Sequence, residues 1–206
     1  MSDPAAADDR ADMLRLAEGR DAALDALMAR HGGRLHAYLL RLLQNESDAE
    51  DLAQECFVRV YQHRARFDPA QNFATWLYTI ATNLVRDRYR WRSRHPETPF
   101  DPDPGPAADG TESAGPGATL PTAGPGPAES LVAAEAAGAV RSAVGGLPPE
   151  LREPLVLAEF EDLSHAEIGA ILGLTSKAVE VRVYRARQRL RRVLQPWLAE
   201  PPSPPA

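Results

Sequence analysis

The sequence contains one cysteine, Cys56, which excludes an internal disulfide framework and any multi-cysteine metal cluster. No apolar run approaches the roughly 18 to 20 residues that a membrane helix requires, and residues 1–11 are acidic. We therefore expect a cytoplasmic protein without membrane insertion. The five histidines show no metal-ligand spacing, and neither a Gly-rich phosphate loop nor a nucleophile motif is present. These absences predict no enzyme activity, no cofactor and no bound metal.

Basic residues are outnumbered by acidic ones, but they are concentrated in two segments. The formal net charge of −6 at pH 7 taken alone argues against nucleic-acid binding. However, residues 86–94 contain five arginines, and residues 177–192 contain seven basic residues. Both segments predict phosphate-facing surfaces. Arginine supplies 22 of the 23 basic residues, which suits bidentate contacts to phosphate or guanine, although a GC-rich genome produces the same bias.

Residues 96–128 divide the chain, because their composition is unable to form a core. They include 15 Pro or Gly among 33 residues, with five acidic residues and no basic ones. This composition predicts a flexible linker between two modules, at residues 9–95 and 129–198. Neither module contains a convincing strand alternation, so the predicted fold class is all-α.

The first module is predicted to contain four helices. Gly32, Gly33 and Asn45 are expected to break the earlier helices, and Ser47 with Glu50 has the spacing of a capping box that opens a further helix. On that helix Cys56 lies on the apolar stripe, so we expect it in the core. The last helix is predicted from about residue 75 to about residue 92.

The second module contains the pattern of a helix-turn-helix. Ser164 and Glu167 form a second capping-box spacing, Gly173 interrupts the apolar stripe, and Thr175 is placed to cap the following helix. A helix-turn-helix requires a tight turn, which suits Gly173, and a close approach of its helices, which suits Gly169.

The helix after the turn is predicted to bind duplex DNA. Val179, Val183 and Leu190 supply its buried side. The opposite side is predicted to contact the major groove and the phosphates; its residues are Ser176, Lys177, Glu180, Val181, Arg182, Tyr184, Arg185 and Arg187. The alternative interpretation is an amphipathic helix with a solvated basic face.

Residues 72–94 interleave aromatic side chains with arginines, a pattern that suits single-stranded DNA because bases stack on rings while guanidinium groups hold the backbone. Aromatic residues also fill cores, and we expect Trp76 in the core rather than on a stacking surface. The exposed ridge is predicted to consist of Thr82, Asn83, Arg86 and Arg90.

An acidic helix is predicted over residues 48–61. Its acidic side would repel DNA and suits a basic protein partner; that side consists of Asp48, Asp51, Gln54 and Glu55, with Phe57 as an apolar anchor. A solvated helix face is the alternative interpretation of this pattern.

Together these motifs resemble a bacterial RNA polymerase sigma factor of the extracytoplasmic-function (ECF) group. DAEDLAQECFVRVY resembles the family's core-polymerase-binding helix, FATWLYTIATNLVRDRYR its minus-10 melting and recognition segment, and LSHAEIGAILGLTSKAVEVRVYRARQRLR its minus-35 helix-turn-helix. The resemblance covers both modules and implies sigma region 2 at 9–95 and sigma region 4 at 129–198. It also implies the absence of the middle and N-terminal autoinhibitory domains of housekeeping sigma factors.

The resemblance implies three partners: core RNA polymerase, promoter DNA and an anti-sigma factor. The acidic helix would dock on the clamp helices of the largest polymerase subunit. Gln71, Asn72 and Phe73 occupy the loop that captures a flipped minus-10 base in relatives, with Asn83, Arg86 and Arg90 near the DNA. In the minus-35 helix, Glu180 would accept from a cytosine amino group and Val181 would contact a thymine methyl.

Two other functions remain compatible with the residues. A transcription regulator that binds DNA without polymerase would use the helix-turn-helix but leave the acidic helix without a role. An adaptor protein whose main interaction is with an anti-sigma factor would need neither arginine cluster.

Overall fold

A computed structural model of the chain describes residues 4–95 and 127–198. The N-terminal group of helices consists of α1 (Pro4–Ala17), α2 (Ala22–Leu43), α3 (Glu46–His63) and α4 (Phe73–Arg94), with a short 3-10 turn at Arg64–Arg66. The C-terminal group consists of α5 (Pro127–Gly145), α6 (Pro149–Phe160), α7 (His165–Leu172) and α8 (Ser176–Leu198). No strand is present in these two ranges, so the all-α prediction is confirmed.

The boundaries of the N-terminal helices differ from the prediction at two places. α2 continues through Gly32 and Gly33, because the buried leucines on either side of them hold the helix against α1 and α3. α3 begins at Glu46 rather than at Ser47, and the capping side chain is that of Asn45, whose Oδ1 accepts a hydrogen bond from Asp48 N at 2.9 Å. The predicted break at Asn45 and the count of four helices agree with the structure.

α4 begins two residues earlier than predicted. Asn72 caps it by accepting a hydrogen bond from Ala74 N at 2.8 Å. The predicted linker overlaps α5 by two residues, and residues 96–126 lie outside the described residues.

The core of the N-terminal group forms where α2 packs on α1, α3 and α4. Tyr38 is fully buried there, and its hydroxyl group forms a hydrogen bond of 2.8 Å with the hydroxyl of Thr82. Cys56 is also buried, which confirms its predicted place in the core, and burial raises the pKa of its thiol to about 12. The thiol is therefore protonated and unreactive at neutral pH.

In the C-terminal group α8 packs on α5, α6 and α7, and the two groups also contact each other. α2 packs on α5 and α6, and α4 packs on α7, so the apolar side chains of both groups belong to one buried cluster. None of the helices that the structure describes combines the length and the apolar character needed to cross a bilayer.

Candidate nucleic-acid interface

The turn between α7 and α8 has the geometry that the sequence predicts. Ser164 Oγ accepts a hydrogen bond from Glu167 N, and the Glu167 carboxylate accepts one from Ser164 N at 2.9 Å, which completes the capping box. Gly173 adopts φ = +70°, a left-handed conformation that favours glycine. Thr175 Oγ1 accepts a hydrogen bond from Ala178 N at 3.2 Å in the first turn of α8.

Gly169 sets the close approach of α7 to the turn. A Cβ atom at this position would lie 2.6 Å from the carbonyl oxygen of Leu174, a distance that real Cβ atoms essentially never show. Val179 and Val183 are buried in the core, and Leu190 is half-buried against it. These contacts fix which side of α8 faces the solvent.

The predicted DNA-facing residues of α8 all lie on its solvent side. Arg182 is half-buried, and the other seven are exposed: Ser176, Lys177, Glu180, Val181, Tyr184, Arg185 and Arg187. Such a strip of mixed donors, acceptors and apolar groups has the chemistry that base edges in the major groove require.

Two residues on this face of α8, Lys177 and Arg187, form ion pairs. Lys177 Nζ donates to Glu180 Oε2 at 2.9 Å, and this hydrogen bond lowers the pKa of Glu180, so its carboxylate is an acceptor at neutral pH. Arg187 Nε donates to Glu159 on α6 at 2.7 Å. A phosphate contact by Arg187 therefore requires the loss or the sharing of this ion pair.

The loop before α4 exposes two of the three residues predicted to capture a base. Gln71 and Asn72 are exposed, but the Phe73 side chain is only 2% exposed and contacts the rings of His31, Phe67 and Trp76. The structure therefore differs from the expectation for Phe73, because its ring supports the loop from inside rather than facing a base. Trp76 is half-buried in this aromatic cluster, consistent with its predicted core position.

The exposed ridge of α4 contains fewer residues than predicted. Asn83 and Arg90 are exposed, whereas Thr82 is fully buried and its hydroxyl forms a hydrogen bond with that of Tyr38. Arg86 is half-buried, and its Nη2 donates to Glu153 Oε2 of α6 at 2.9 Å.

The acidic helix α3 presents a smaller surface than predicted. Asp51 and Gln54 are exposed, and Glu55 is half-buried and accepts from Arg59 Nε at 2.8 Å. Asp48 is 8% exposed, and Phe57 is 5% exposed. The Phe57 ring therefore belongs to the core and presents no apolar anchor in this structure.

Asp48 instead joins α3 to α4. Its carboxylate forms ion pairs with Arg92 and with Arg88, the latter at 3.0 Å. The sequence pattern does not predict this role, although Arg88 and Arg92 are separated by four residues and thus share a face of α4. The role of Glu153 is not predicted either, because no local pattern places an α6 side chain beside Arg86.

Among the residues that the structure describes, a group of metal-ligand side chains lies at the start of α3. His36 Nε2 lies 3.2 Å from Glu46 Oε1, and Glu50 lies near both. Sequence spacing does not bring these residues together, because His36 lies on α2. Both carboxylates are exposed, whereas His36 is half-buried.

Comparison with known proteins identifies both helix groups. Residues 27–95 match Sigma-70 region 2, and residues 137–190 match Sigma-70, region 4. The ECF RNA polymerase sigma factor SigE of Mycolicibacterium smegmatis is 37% identical over 85% of this chain and 64% of its own length. The ECF RNA polymerase sigma factor SigW of Bacillus subtilis is 34% identical over 79% of this chain and 83% of its own.

A solved structure supports the same assignment. The structure of CnrH in complex with the cytosolic domain of CnrY has a TM-score of 0.65 and 30% sequence identity, and the match covers 92% of this chain and 98% of that one. The chain belongs to the ECF sigma factors of the sigma-70 family. It is a transcription initiation factor that directs RNA polymerase to promoters.

Proposed function

We propose a residue-level mechanism in which α3 binds core RNA polymerase, α4 with its preceding loop binds the minus-10 element, and α8 binds the minus-35 element. The predicted modules at 9–95 and 129–198 would act as region 2 and region 4. Acting beside RNA polymerase, the protein would function in the cytoplasm.

The observation that carries the minus-35 assignment is the exposed strip on α8. Its contacts to bases would come from Glu180 and Val181, while Tyr184 and Arg185 would supply much of the affinity. Ser176, Lys177, Arg182 and Arg187 extend the same face. Glu180 is ionised and exposed, which suits acceptance of a hydrogen bond from a cytosine amino group.

The minus-10 assignment rests on the exposed polar loop and the outer side of α4. Gln71 and Asn72 would contact the flipped base, and Asn83, Arg86 and Arg90 would contact the adjacent strand. Phe73 would support the loop from the core. Extruding a base costs a few kcal/mol, so contacts to the polymerase and contacts to the base must act together.

The polymerase-binding surface would consist of Asp51, Gln54 and Glu55. Asp48 would support it by joining α3 to α4, and Phe57 by its packing in the core. By analogy with the sigma factor RpoE from Bartonella quintana, which was solved in complex with the anti-sigma factor NepR, we include an anti-sigma factor among the partners of this chain.

The decisive experiment is in vitro transcription with purified core RNA polymerase and a genomic DNA library. The wild type should produce new start sites, and the double variant Asp51→Arg, Glu55→Arg should lose them because it reverses the charge of the polymerase-binding surface. The matched control is Asp21→Arg, Asp25→Arg. It makes the same change of charge at two exposed positions with the same spacing, at the N-terminal end of α2. Equal activity of the two double variants would contradict the assignment of α3.

A further inference from the structure

Helix α1 precedes residue 27, where the match to Sigma-70 region 2 begins, but it is tied to α2 by buried charges. Two of its carboxylates are buried: Asp9 is 3% exposed and Asp12 is 5% exposed. Arg30 of α2 donates to both of them, and its Nη2 reaches Asp12 Oδ2 at 2.7 Å. Because a buried carboxylate without a partner is costly, these contacts hold α1 at one position on α2.

His31 of α2 shares the Asp9 carboxylate with Arg30. Its Nε2 lies 2.9 Å from each carboxylate oxygen of Asp9, and its side chain is 14% exposed. A carboxylate only accepts hydrogen bonds, so Nε2 carries a proton and is the donor. An imidazole held at one nitrogen by a carboxylate has a fixed ring orientation. Asp9 therefore determines how the His31 ring faces its neighbours.

The His31 ring faces Phe73, the first residue of α4. The centres of the two rings are 5.1 Å apart, and their planes are tilted by 58°, an arrangement that aromatic pairs favour. The Phe73 side chain is 2% exposed and lies in a packed cluster. A shift of the imidazole would therefore move Phe73 or leave a cavity beside it.

Phe73 is joined to the loop that carries Gln71 and Asn72. The Asn72 side chain caps the first turn of α4, and the Phe67 ring at the other end of the loop lies 6.1 Å from the Phe73 ring. Both ends of the loop thus meet in one aromatic cluster. α1 also packs on the 3-10 turn at Arg64–Arg66, which leads into the loop. A displacement of Phe73 would therefore displace the exposed amides of the loop.

We propose that His31 is a positioning residue for minus-10 recognition: Asp9 of α1 orients its ring, and the ring holds Phe73 in place beneath the loop of Gln71 and Asn72. This inference rests on the proposed function, because it takes Gln71 and Asn72 as the contacts to the flipped base. It adds that a carboxylate of α1, which is itself too buried to contact DNA, helps to determine which base the loop accepts.

The test compares base discrimination by holoenzymes assembled from core polymerase and each sigma variant. Discrimination is the ratio of initial transcription rates on a promoter mapped with the wild type and on the same promoter after replacement of its most sensitive minus-10 base. His31→Leu keeps an apolar side chain beside Phe73 but removes the donor to Asp9, so it should lower this ratio about fivefold. Asp9→Leu should lower the ratio by a similar factor. Asp9→Asn should restore most of it, because the amide oxygen still accepts from His31.

The matched control is Asp12→Leu. Asp12 is buried like Asp9, but it pairs with Arg15 and Arg30 rather than with His31. Asp12→Leu should therefore lower the stability to urea as Asp9→Leu does, yet keep the discrimination of the wild type. A purely structural role of α1 would instead lower discrimination equally in both variants.

The inference is overturned if either His31→Leu or Asp9→Leu folds and keeps the ratio of the wild type. It is equally overturned if Asp12→Leu lowers the ratio as much as Asp9→Leu. Gln71→Ala and Asn72→Ala test the proposed function separately. If neither variant changes the ratio, the minus-10 assignment of the loop fails and this inference fails with it. If they lower the ratio while His31→Leu does not, only this inference fails.

Discussion

The arginines of α4 and those of α8 look alike in the sequence but have different surroundings in the fold. Four arginines of α4 form ion pairs with carboxylates on α3, α4 or α6: Arg86, Arg88, Arg90 and Arg92. On α8, only Lys177 and Arg187 form ion pairs within the described residues.

The arginines of α4 and α8 therefore have different roles, although the two helices have similar compositions. Most of the positive charge of α4 is balanced by the protein itself, so it holds elements together and reaches DNA only by exchanging partners. The charge of α8 is largely unbalanced, so it is available to phosphates and adds directly to DNA affinity. The same change, arginine or its partner to alanine, should therefore act on stability in region 2 and on affinity in region 4.

The largest expected effect is on the stability of the N-terminal group. Asp48→Ala should lower its free energy of unfolding by about 3 kcal/mol, because Arg88 and Arg92 would lose a buried partner. Urea denaturation followed by circular dichroism measures this change. Asp51→Ala, an exposed change one turn later on α3, should leave the urea concentration at half-unfolding unchanged within error. A similar loss of stability in both variants would refute the role of Asp48.

The two helix groups also differ in the surroundings of their glycines. Gly169→Ala should destabilise the C-terminal group by about 2 kcal/mol, because the added Cβ meets the carbonyl oxygen of Leu174 at 2.6 Å. Gly32→Ala should stabilise the N-terminal group by about 0.5 to 1 kcal/mol, because the position is mid-helical and its surroundings are open. The thermal unfolding temperatures of the two variants should shift in opposite directions. Shifts of the same sign would contradict the close contact at Gly169 or the open surroundings of Gly32.

DNA affinity should change on α8 without a change in stability. Arg185→Ala is expected to weaken binding to the minus-35 duplex about tenfold, or about 1.4 kcal/mol, and Tyr184→Ala should weaken it by a similar factor. Fluorescence anisotropy with a duplex taken from a mapped promoter measures both. Arg191→Ala removes an equal charge from an exposed position farther along α8 and should reduce affinity less. Unchanged binding after the Arg185 and Tyr184 substitutions would refute their assignment.

The smallest expected effect concerns pH and the contact between the groups. Burial raises the pKa of Glu161 above 4.5, against the opposing effects of Tyr78, Arg34 and Arg41. Because the raised pKa favours the protonated carboxyl where the two helix groups pack together, Glu161 stabilises that packing fully below about pH 4.5. This stabilisation is lost as pH rises through the raised value. Energy transfer between dyes on cysteines introduced at the exposed positions Gln62 and Arg192 should therefore increase modestly on mild acidification. Glu161→Gln should remove this pH dependence, and its persistence would exclude Glu161 as the titrating group.

Local features of the sequence predict the helix-turn-helix well. The capping box, the left-handed Gly173 and the close approach at Gly169 depend on residues within about ten positions of one another, and all three are present in the structure. The pattern of buried valines then determines the solvent side of α8.

Features that depend on distant residues could not be predicted in the same way. Helix propensity alone predicts a break at Gly32 and Gly33, but packing of the flanking leucines overrides it. The burial of Phe57 and Phe73 depends on neighbouring helices, and the pairing of Arg86 with Glu153 joins residues 67 positions apart. No periodicity in a single segment contains that information.

The ion pair between Lys177 and Glu180 has a consequence for covalent modification. Lys177 is the only lysine in the sequence, so its Nζ is the only side-chain amine available for acylation, and it lies on the exposed face of α8. Acetylation would neutralise this atom, leave Glu180 without its ion-pair partner and leave every arginine of the helix charged. Lysine acetylation of this protein would therefore act at a single position, within the surface that we assign to minus-35 recognition.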